Sequence, residues 1–187
     1  MSAEPLQPTL WRTCRVLAND TRLRIFARLI HKQPQSVSQL AESAALTLPV
    51  ASQSLRALES RGLLIVKRRR RRVEYRIPSA AEAGSLADLI AALKTALRPE
   101  LPAITEIIKL ATAFTHPSRI QIYRSLASGQ KMPMPIQTAT PISARAQARH
   151  LGKLWARGYV ELDDAGRCTV IQHPHALARA LAAIASA

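Results

Sequence analysis

An internal repeat constrains the fold of this chain more than any other feature of its sequence. Segment 17–26 (LANDTRLRIF) aligns with segment 114–123 (FTHPSRIQIY) at an offset of 97, and segment 55–63 aligns with segment 151–159 at an offset of 96. The repeat predicts two structural units, the first over residues 1–97 and a degenerate second over 98–187. The alternative is that amphipathic helices rich in Ala, Leu and Arg align by composition alone. The matched positions are Arg22 with Arg119, Leu23 with Ile120, Ile25 with Ile122, Leu29 with Leu126, and Arg61-Gly62 with Arg157-Gly158.

Helical periodicity in the first unit predicts a series of helices that ends in a β-hairpin. The predicted elements are a short helix over 10–17, helices that begin near residues 19, 36 and 48, and strands over 63–67 and 73–77. Asn19 or Asp20 can cap one helix, and Ser36 with Gln39 fits a capping box that opens the next. Gly62 follows the last of these helices, where a glycine is preferred. Helices followed by such a hairpin predict a winged helix-turn-helix.

The rest of the chain shows a helix after each of two breaks. Residues 78–84 interrupt the pattern, and Ser85 with Asp88 resembles a capping box for an amphipathic helix that ends at Leu97. After a short break over 98–102, further helices are expected over 102–113 and 175–185. The second helix of the second unit must be short or distorted because prolines interrupt it, and its wing, 161–167, is acidic. The prolines are Pro133, Pro135 and Pro141.

The charge balance indicates a polyanionic partner. Lys and Arg number 27 against 12 Asp and Glu, which gives a net charge of +15. A balance of this kind attracts nucleic acid first and an anionic membrane surface second. Residues 1–10 lack the features of a signal peptide, and no apolar run is long enough to span a membrane. We therefore expect a cytoplasmic protein with no membrane partner.

Three segments resemble the arsenic-repressor-like (ArsR-like) winged-helix regulators. LANDTRLRI at 17–25 is similar to the LA-x-x-x-R-x-x-I opening of that family, PVASQSLRALESRGLL at 49–64 to its recognition helix, and 68–77 to its wing. The resemblance covers residues 10–97 well and the second half weakly. It implies a DNA-binding repressor, usually a dimer built on its first and last helices, and often released from DNA by a ligand or a metal.

This chain departs from the family pattern in three respects. Arg70 stands at the wing turn where the family usually has glycine. The helix that begins at Val37 lacks the Cys-x-Cys pair of the family's metal sensors. The fold is also expected twice in one chain, as mainly α structure with small β-hairpin wings and two units paired as an intramolecular pseudo-dimer.

The candidate DNA-binding residues lie on the recognition helix and the wing of the first unit. If Ala51, Leu55 and Leu58 face inward, the hydroxyl, amide and guanidinium groups beside them project outward, where they suit base edges and phosphates. The arginine run of the wing suits a narrow minor groove or the DNA backbone. The candidates are Thr47, Ser52, Gln53, Ser54 and Arg56 on helix 48–60, and Lys67, Arg68, Arg69, Arg70, Arg71 and Arg72 on the wing.

The second unit offers a weaker candidate surface and no metal site. At the repeat positions its recognition helix carries Arg149, His150 and Lys153, which are further DNA-binding candidates. The histidines, which include the His173-Pro-His175 segment, show no pair four residues apart, so no metal or other cofactor is expected. Cys14 lies in an apolar helix, where a cysteine usually serves packing.

We expect a sequence-specific transcriptional regulator that binds double-stranded DNA and acts as a repressor. No constellation of nucleophile and base, phosphate-binding glycine loop or pair of carboxylates indicates an enzyme. One alternative is an architectural binder that uses the arginine run without reading bases. The other is a ligand or metal sensor in which the second unit forms the sensory site. The chain is expected to act as a monomeric pseudo-dimer, with a homodimer as the alternative.

Overall fold

The structure is a computed structural model that describes residues 9–69, 72–98, 103–129, 142–163 and 167–187, with the backbone alone described for Arg69 and Arg72. The helices are α1 Leu10–Leu17, α2 Asp20–His31, α3 Val37–Ser43, α4 Leu48–Glu59, α5 Ala80–Ala83, α6 Ala87–Leu97, α7 Ile104–Ala111, α8 Pro117–Ala127, α9 Ala144–Trp155 and α10 Ala176–Ser186. The strands are β1 Gln35–Ser36, β2 Ile65–Arg69, β3 Arg72–Arg76, β4 Val160–Leu162 and β5 Cys168–Val170. Short 3₁₀ turns cover Gly84–Leu86 and Thr112–Phe114. The described chain is therefore mainly α with small antiparallel hairpins, which confirms the predicted fold class in this respect.

Capping interactions in the first unit follow the predictions from sequence. The Asn19 side chain accepts a hydrogen bond from the Arg22 amide at 3.0 Å and caps α2. Ser36 and Gln39 form the expected capping box at the start of α3. Between α3 and α4 the chain turns through Ala45, whose φ of 53° lies in the left-handed region. These local interactions set the order and the limits of the helix-turn-helix.

The hairpin after α4 differs from its prediction in register. The strands are shifted toward the arginine run, because Ile65 pairs with Arg76 and Arg69 pairs with Arg72. The preceding Leu63 and Leu64 are buried in the core instead of starting the strand. Most of the predicted arginine-rich turn is therefore strand, and Arg70 and Arg71 lie outside the described residues.

A third strand joins this hairpin where a loop was predicted. In β1, Gln35 pairs with Tyr75 and Ser36 pairs with Glu74, which gives the strand order β1-β3-β2. Two residues are too few to show an alternating pattern, and for that reason this strand could not be predicted from the sequence. The pairing ties the start of α3 to the wing.

The helix after the hairpin begins with a different cap from the predicted one. Ser79, not Ser85, forms a capping box, and its partner Glu82 also binds the Arg76 guanidinium at 2.7 Å. This ion pair favours a short helix α5 inside the segment that was expected to break the pattern. The helix α6 then starts at Ala87 with no side-chain cap.

One apolar core joins the two predicted units. Helix α1 contacts α7 and the turn after it, α2 contacts α6 and α7, and α10 contacts α6, α7 and α8. Buried side chains from both parts of the sequence belong to a single cluster. Its members include Leu17, Phe26, Leu93, Phe114 and Leu181.

Equivalent positions of the two halves make the same hydrogen bonds. Gly62 and Gly158, with φ of 69° and 72°, each follow a helix of 12 residues. After each glycine the next amide donates back to a leucine carbonyl at 3.1 Å. Arg22 and Arg119 each donate to two carbonyls of the preceding helical segment. The local geometry of the first half thus recurs in the second.

Candidate nucleic-acid interface

The outward face of α4 is polar, as the sequence predicted. Gln53 and Arg56 are exposed and Ser52 is half-buried, while Ala51 and Leu55 face the core. The Arg56 guanidinium donates to Ser52 Oγ at 2.8 Å. This bond holds the guanidinium along the helix and leaves its other N–H groups free to meet an acceptor. The face therefore presents an amide and an ordered cation side by side.

Ser54 does not share this face. Its side chain is only 7% exposed, because position 54 lies three residues after Ala51 and four before Leu58, on the buried side of the helix. It is therefore left out of the candidate interface. Helical periodicity could have excluded it, since the same spacing identified the inward residues.

The start of α4 combines the predicted candidate Thr47 with exposed apolar residues that were not predicted. Thr47 is exposed at the N-cap and its side chain makes no capping hydrogen bond. The next residues are apolar, with Leu48 55% exposed and Val50 41% exposed, and Pro49 lies between them. Leu48 stands three residues before Ala51 and Val50 stands four before Ser54, so helical spacing alone would place both side chains inward, and their exposure could not be read from the sequence.

The wing of the first unit carries further exposed basic residues. Lys67 and Arg68 on β2 are exposed, and no salt bridge joins either of them to a carboxylate in the described part of the chain. Glu74 stands opposite Lys67 across the hairpin. The backbones of Arg69 and Arg72 pair at its tip, beyond which Arg70 and Arg71 lie outside the described residues. The described cations are thus available to an external anion.

Helix α9, the counterpart of α4 in the second unit, carries basic side chains on its exposed side. Arg149 and Lys153 are exposed, and Ala148 and Gly152 lie exposed beside them. Arg145 is also exposed, four residues before Arg149, and the sequence reasoning did not name it. Residues four apart align along a helix, so Arg145, Arg149 and Lys153 form one stripe of positive charge.

His150 is buried beneath this stripe and is left out of the candidate interface. It is 5% exposed and its ring centroid lies 4.6 Å from that of His116. Its Nδ1 is buried with no hydrogen-bond partner in the described residues. Burial, together with the positive charges of Arg119, Arg149 and Lys153, lowers the pKa of His150 to about 4. The side chain is therefore neutral at pH 7 and serves packing between α8 and α9.

The hairpin of the second unit has the opposite charge from the wing of the first. Glu161 is exposed on β4, and Asp163 binds the Arg167 guanidinium at 2.6 Å. Residues 164–166 of the predicted acidic wing lie outside the described residues, as do residues 130–141 with their three prolines. An acidic hairpin repels phosphate groups, so this hairpin does not take the place of the basic wing of the first unit.

The remaining candidates have structural roles. No group of three or more potential metal ligands occurs among the described residues. His173 and His175 accept hydrogen bonds from the amides at the start of α10. Cys14 and Cys168 are buried, and burial raises the pKa of both thiols. No helix in the described ranges is long and apolar enough to cross a bilayer.

The first unit matches a known class of domain. A family model described as a helix-turn-helix domain matches residues 17–67, which run from the end of α1 through α4 into β2. Helix-turn-helix domains are DNA-binding modules common in transcription regulators, and they place their second helix in the major groove. A search of curated proteins and a search of solved structures each gave no significant match. The fold and this match together indicate a helix-turn-helix domain over residues 17–67, of a kind that suggests a DNA-binding regulator.

Proposed function

We propose that the protein is a sequence-specific transcriptional regulator of double-stranded DNA. Helix α4 enters the major groove, and the wing 67–72 meets the minor groove or the backbone. The observation that carries this proposal is an exposed polar helix face inside the matched helix-turn-helix residues, followed at once by an exposed basic strand. Gln53 and Arg56 are exposed on α4, and Lys67 and Arg68 are exposed on β2, the next element of the chain. The resemblance to ArsR-like regulators favours action as a repressor.

We further infer a tandem duplication that forms an intramolecular pseudo-dimer. The repeated hydrogen bonds at Gly62 and Gly158, and at Arg22 and Arg119, support two copies of one unit. The contacts support the pairing, because the first helices of the units meet as α1 with α7 and the last helices meet as α6 with α10. Those are the helices through which separate chains of the resembled family usually pair. A single chain thus supplies both sides of the dimer interface.

A pseudo-dimer has two different reading heads. Where α4 offers Gln53 and Arg56, α9 offers Arg149 and Gly152. A true dimer reads a palindrome because its heads are identical. The preferred site here is asymmetric, with half-sites about one helical turn apart and base-specific contacts concentrated on the side of α4.

Selection of bound duplexes from a random DNA pool tests this function. A specific regulator enriches one sequence and binds it about 10³-fold or more tightly than random DNA. Footprinting of the enriched duplex should then give a protected region with one conserved and one variable half. Lack of enrichment, with tight binding to all duplexes, would instead show an architectural binder that relies on the arginine run.

The oligomeric state needs its own measurement. Light scattering of the free protein should give the mass of one chain, 20.5 kDa, and titration should give one chain per site. A stable homodimer that protects a long palindrome would contradict the pseudo-dimer while leaving the DNA-binding function in place.

A further inference from the structure

The start of the reading helix is apolar and exposed. Among the described residues the large exposed hydrophobic side chains are few, and two of them, Leu48 and Val50, lie in the first turn of α4. The half-buried Leu46, two residues earlier, packs against the core. Leu48 and Val50 are not among the residues that form the core or pack against it. Packing within the chain therefore does not account for an aliphatic pair at this place.

These side chains are continuous with the polar reading face. Leu48 stands four residues before Ser52, and Val50 stands three before Gln53, so each adjoins a reading residue along the helix surface. Ser52 in turn holds the Arg56 guanidinium at 2.8 Å. In the first turn of α4 one exposed aliphatic side chain thus flanks the polar face on each side, Leu48 next to Ser52 and Val50 next to Gln53.

Pro49 changes the hydrogen-bonding capacity of the same turn. As the second residue of α4 it has no backbone N–H, so the first turn offers one donor fewer than an ordinary helix N-terminus. The N-terminal residues of a recognition helix are those that contact base edges. A turn with aliphatic side chains and fewer donors matches an apolar group on the DNA better than an acceptor.

The major groove presents one such group, the C5-methyl of thymine. We propose that Leu48 and Val50 contact thymine methyl groups, so that the half-site read by α4 contains thymine at the position that meets the first turn. This inference rests on the proposed function, because it requires that α4 enters the major groove. It adds the base preferred at one end of that half-site and the residues that select it.

Replacement of thymine by deoxyuridine tests the contact directly. Uracil pairs with adenine and keeps the O4 acceptor, so the substitution removes the methyl group alone. The probe is the duplex enriched from a random pool, with each thymine replaced in turn. At a contacted thymine the unmodified protein should lose about fourfold in affinity, the value for one apolar carbon withdrawn from burial. The other thymines should show no change.

Two variants assign the effect to residues. The double variant Leu48→Gln with Val50→Thr replaces each side chain by a polar one of similar size at an exposed position, so folding is unaffected. It should bind thymine and uracil duplexes equally. Leu162→Gln is the matched control, because Leu162 is 53% exposed on β4, close to the 55% of Leu48. This control should keep the fourfold ratio.

Three outcomes would contradict different parts of these proposals. Tight specific binding with no uracil effect at any thymine would overturn this inference and leave the proposed function intact. A uracil effect that persists in the double variant would overturn the assignment to Leu48 and Val50. Failure to enrich any sequence would overturn the proposed function and this inference together.

Discussion

Helices α4 and α9 bury the same positions but carry different residues at their exposed positions. Position by position, the buried residues of α4 have buried counterparts in α9 at an offset of 96. At the outward positions the residue types change, and Ser52, Gln53 and Arg56 of α4 correspond to Ala148, Arg149 and Gly152 of α9. The buried pairs are Ala51 with Gln147, Ser54 with His150, Leu55 with Leu151, and Leu58 with Leu154. The comparison indicates that inward residues preserve the scaffold while outward residues are free to set what each helix binds.

The largest expected effect tests whether the two units form one folding unit. Phe114 is fully buried and packs edge-on against Tyr123 and Tyr159, with ring centroids 5.1 and 4.7 Å away. Phe114→Ala should lower the free energy of unfolding by about 3–5 kcal/mol. Because the core is continuous, denaturant unfolding followed by circular dichroism should remain a single shifted transition.

Phe26→Ala is the matched variant in the first unit, where Phe26 is also fully buried. It should shift the same transition by a similar amount. Two separate transitions, of which each variant moves only one, would show that the units fold independently and that their contacts are weak.

The second prediction concerns His150, the buried residue of α9 that corresponds to Ser54 of α4. The pKa of His150 is about 4 in the folded protein, below the ordinary histidine value of 6.5, so the unfolded chain binds the proton more tightly. Stability is therefore unaffected above pH 7 and is lost as the pH falls from about 6.5 toward 4. The loss should reach about 2 kcal/mol at pH 5. Unfolding free energies measured from pH 7 to pH 5 check this.

His150→Ser is the matched variant, since serine is the residue that α4 carries at this place. It should remove most of the pH dependence between pH 7 and 5, whatever it does to stability at pH 7. Half-buried His116 and His173 have lowered pKa values as well, so they contribute to the pH dependence that remains. An undiminished slope in this variant would show that His150 does not carry the effect.

The third prediction compares the two reading positions. Gln53→Ala should relax the preference for one base pair by about 1–3 kcal/mol and leave binding to random DNA nearly unchanged. Arg149→Ala at the equivalent position should weaken binding to all sequences alike. Competition titrations with the enriched duplex and its point variants distinguish the two patterns. An equal loss on every duplex for Gln53→Ala would contradict a reading role.

Local signals in the sequence predicted most of the helices and much of the interface. Caps at Asn19 and Ser36, and the glycine after α4, depend on neighbours in sequence and could be read directly. The Ser79–Glu82 capping box is equally local, and the sequence analysis missed it by choosing Ser85. Strand β1 could not be read in this way, because it depends on Tyr75, a partner brought near by folding.

The same distinction applies to the candidate site. Gln53 and Arg56 followed from helical periodicity, whereas Ser54 was included although that periodicity places it inward. His150 was included as a residue of the second recognition helix, although the same periodicity, three residues after Gln147 and four before Leu154, places it inward. Its ring contact with His116 joins elements distant in sequence, and no local pattern reveals that contact.

The smallest expected effect decides whether α9 touches DNA at all. Arg149 and Lys153 are both exposed, and phosphate contacts release about 0.9 counterion each. If both contact the backbone, the Arg149→Ala, Lys153→Ala double variant should reduce the slope of log K against log salt by roughly 2. Lys67→Ala with Arg68→Ala, the matched pair on the wing, should give a similar reduction, and neither pair should alter base preference. An unchanged slope for the α9 pair alone would mean that the second unit supports the first without meeting the duplex. The asymmetric site would then shorten to one half-site, because a helix that makes no backbone contact also cannot position side chains against base edges.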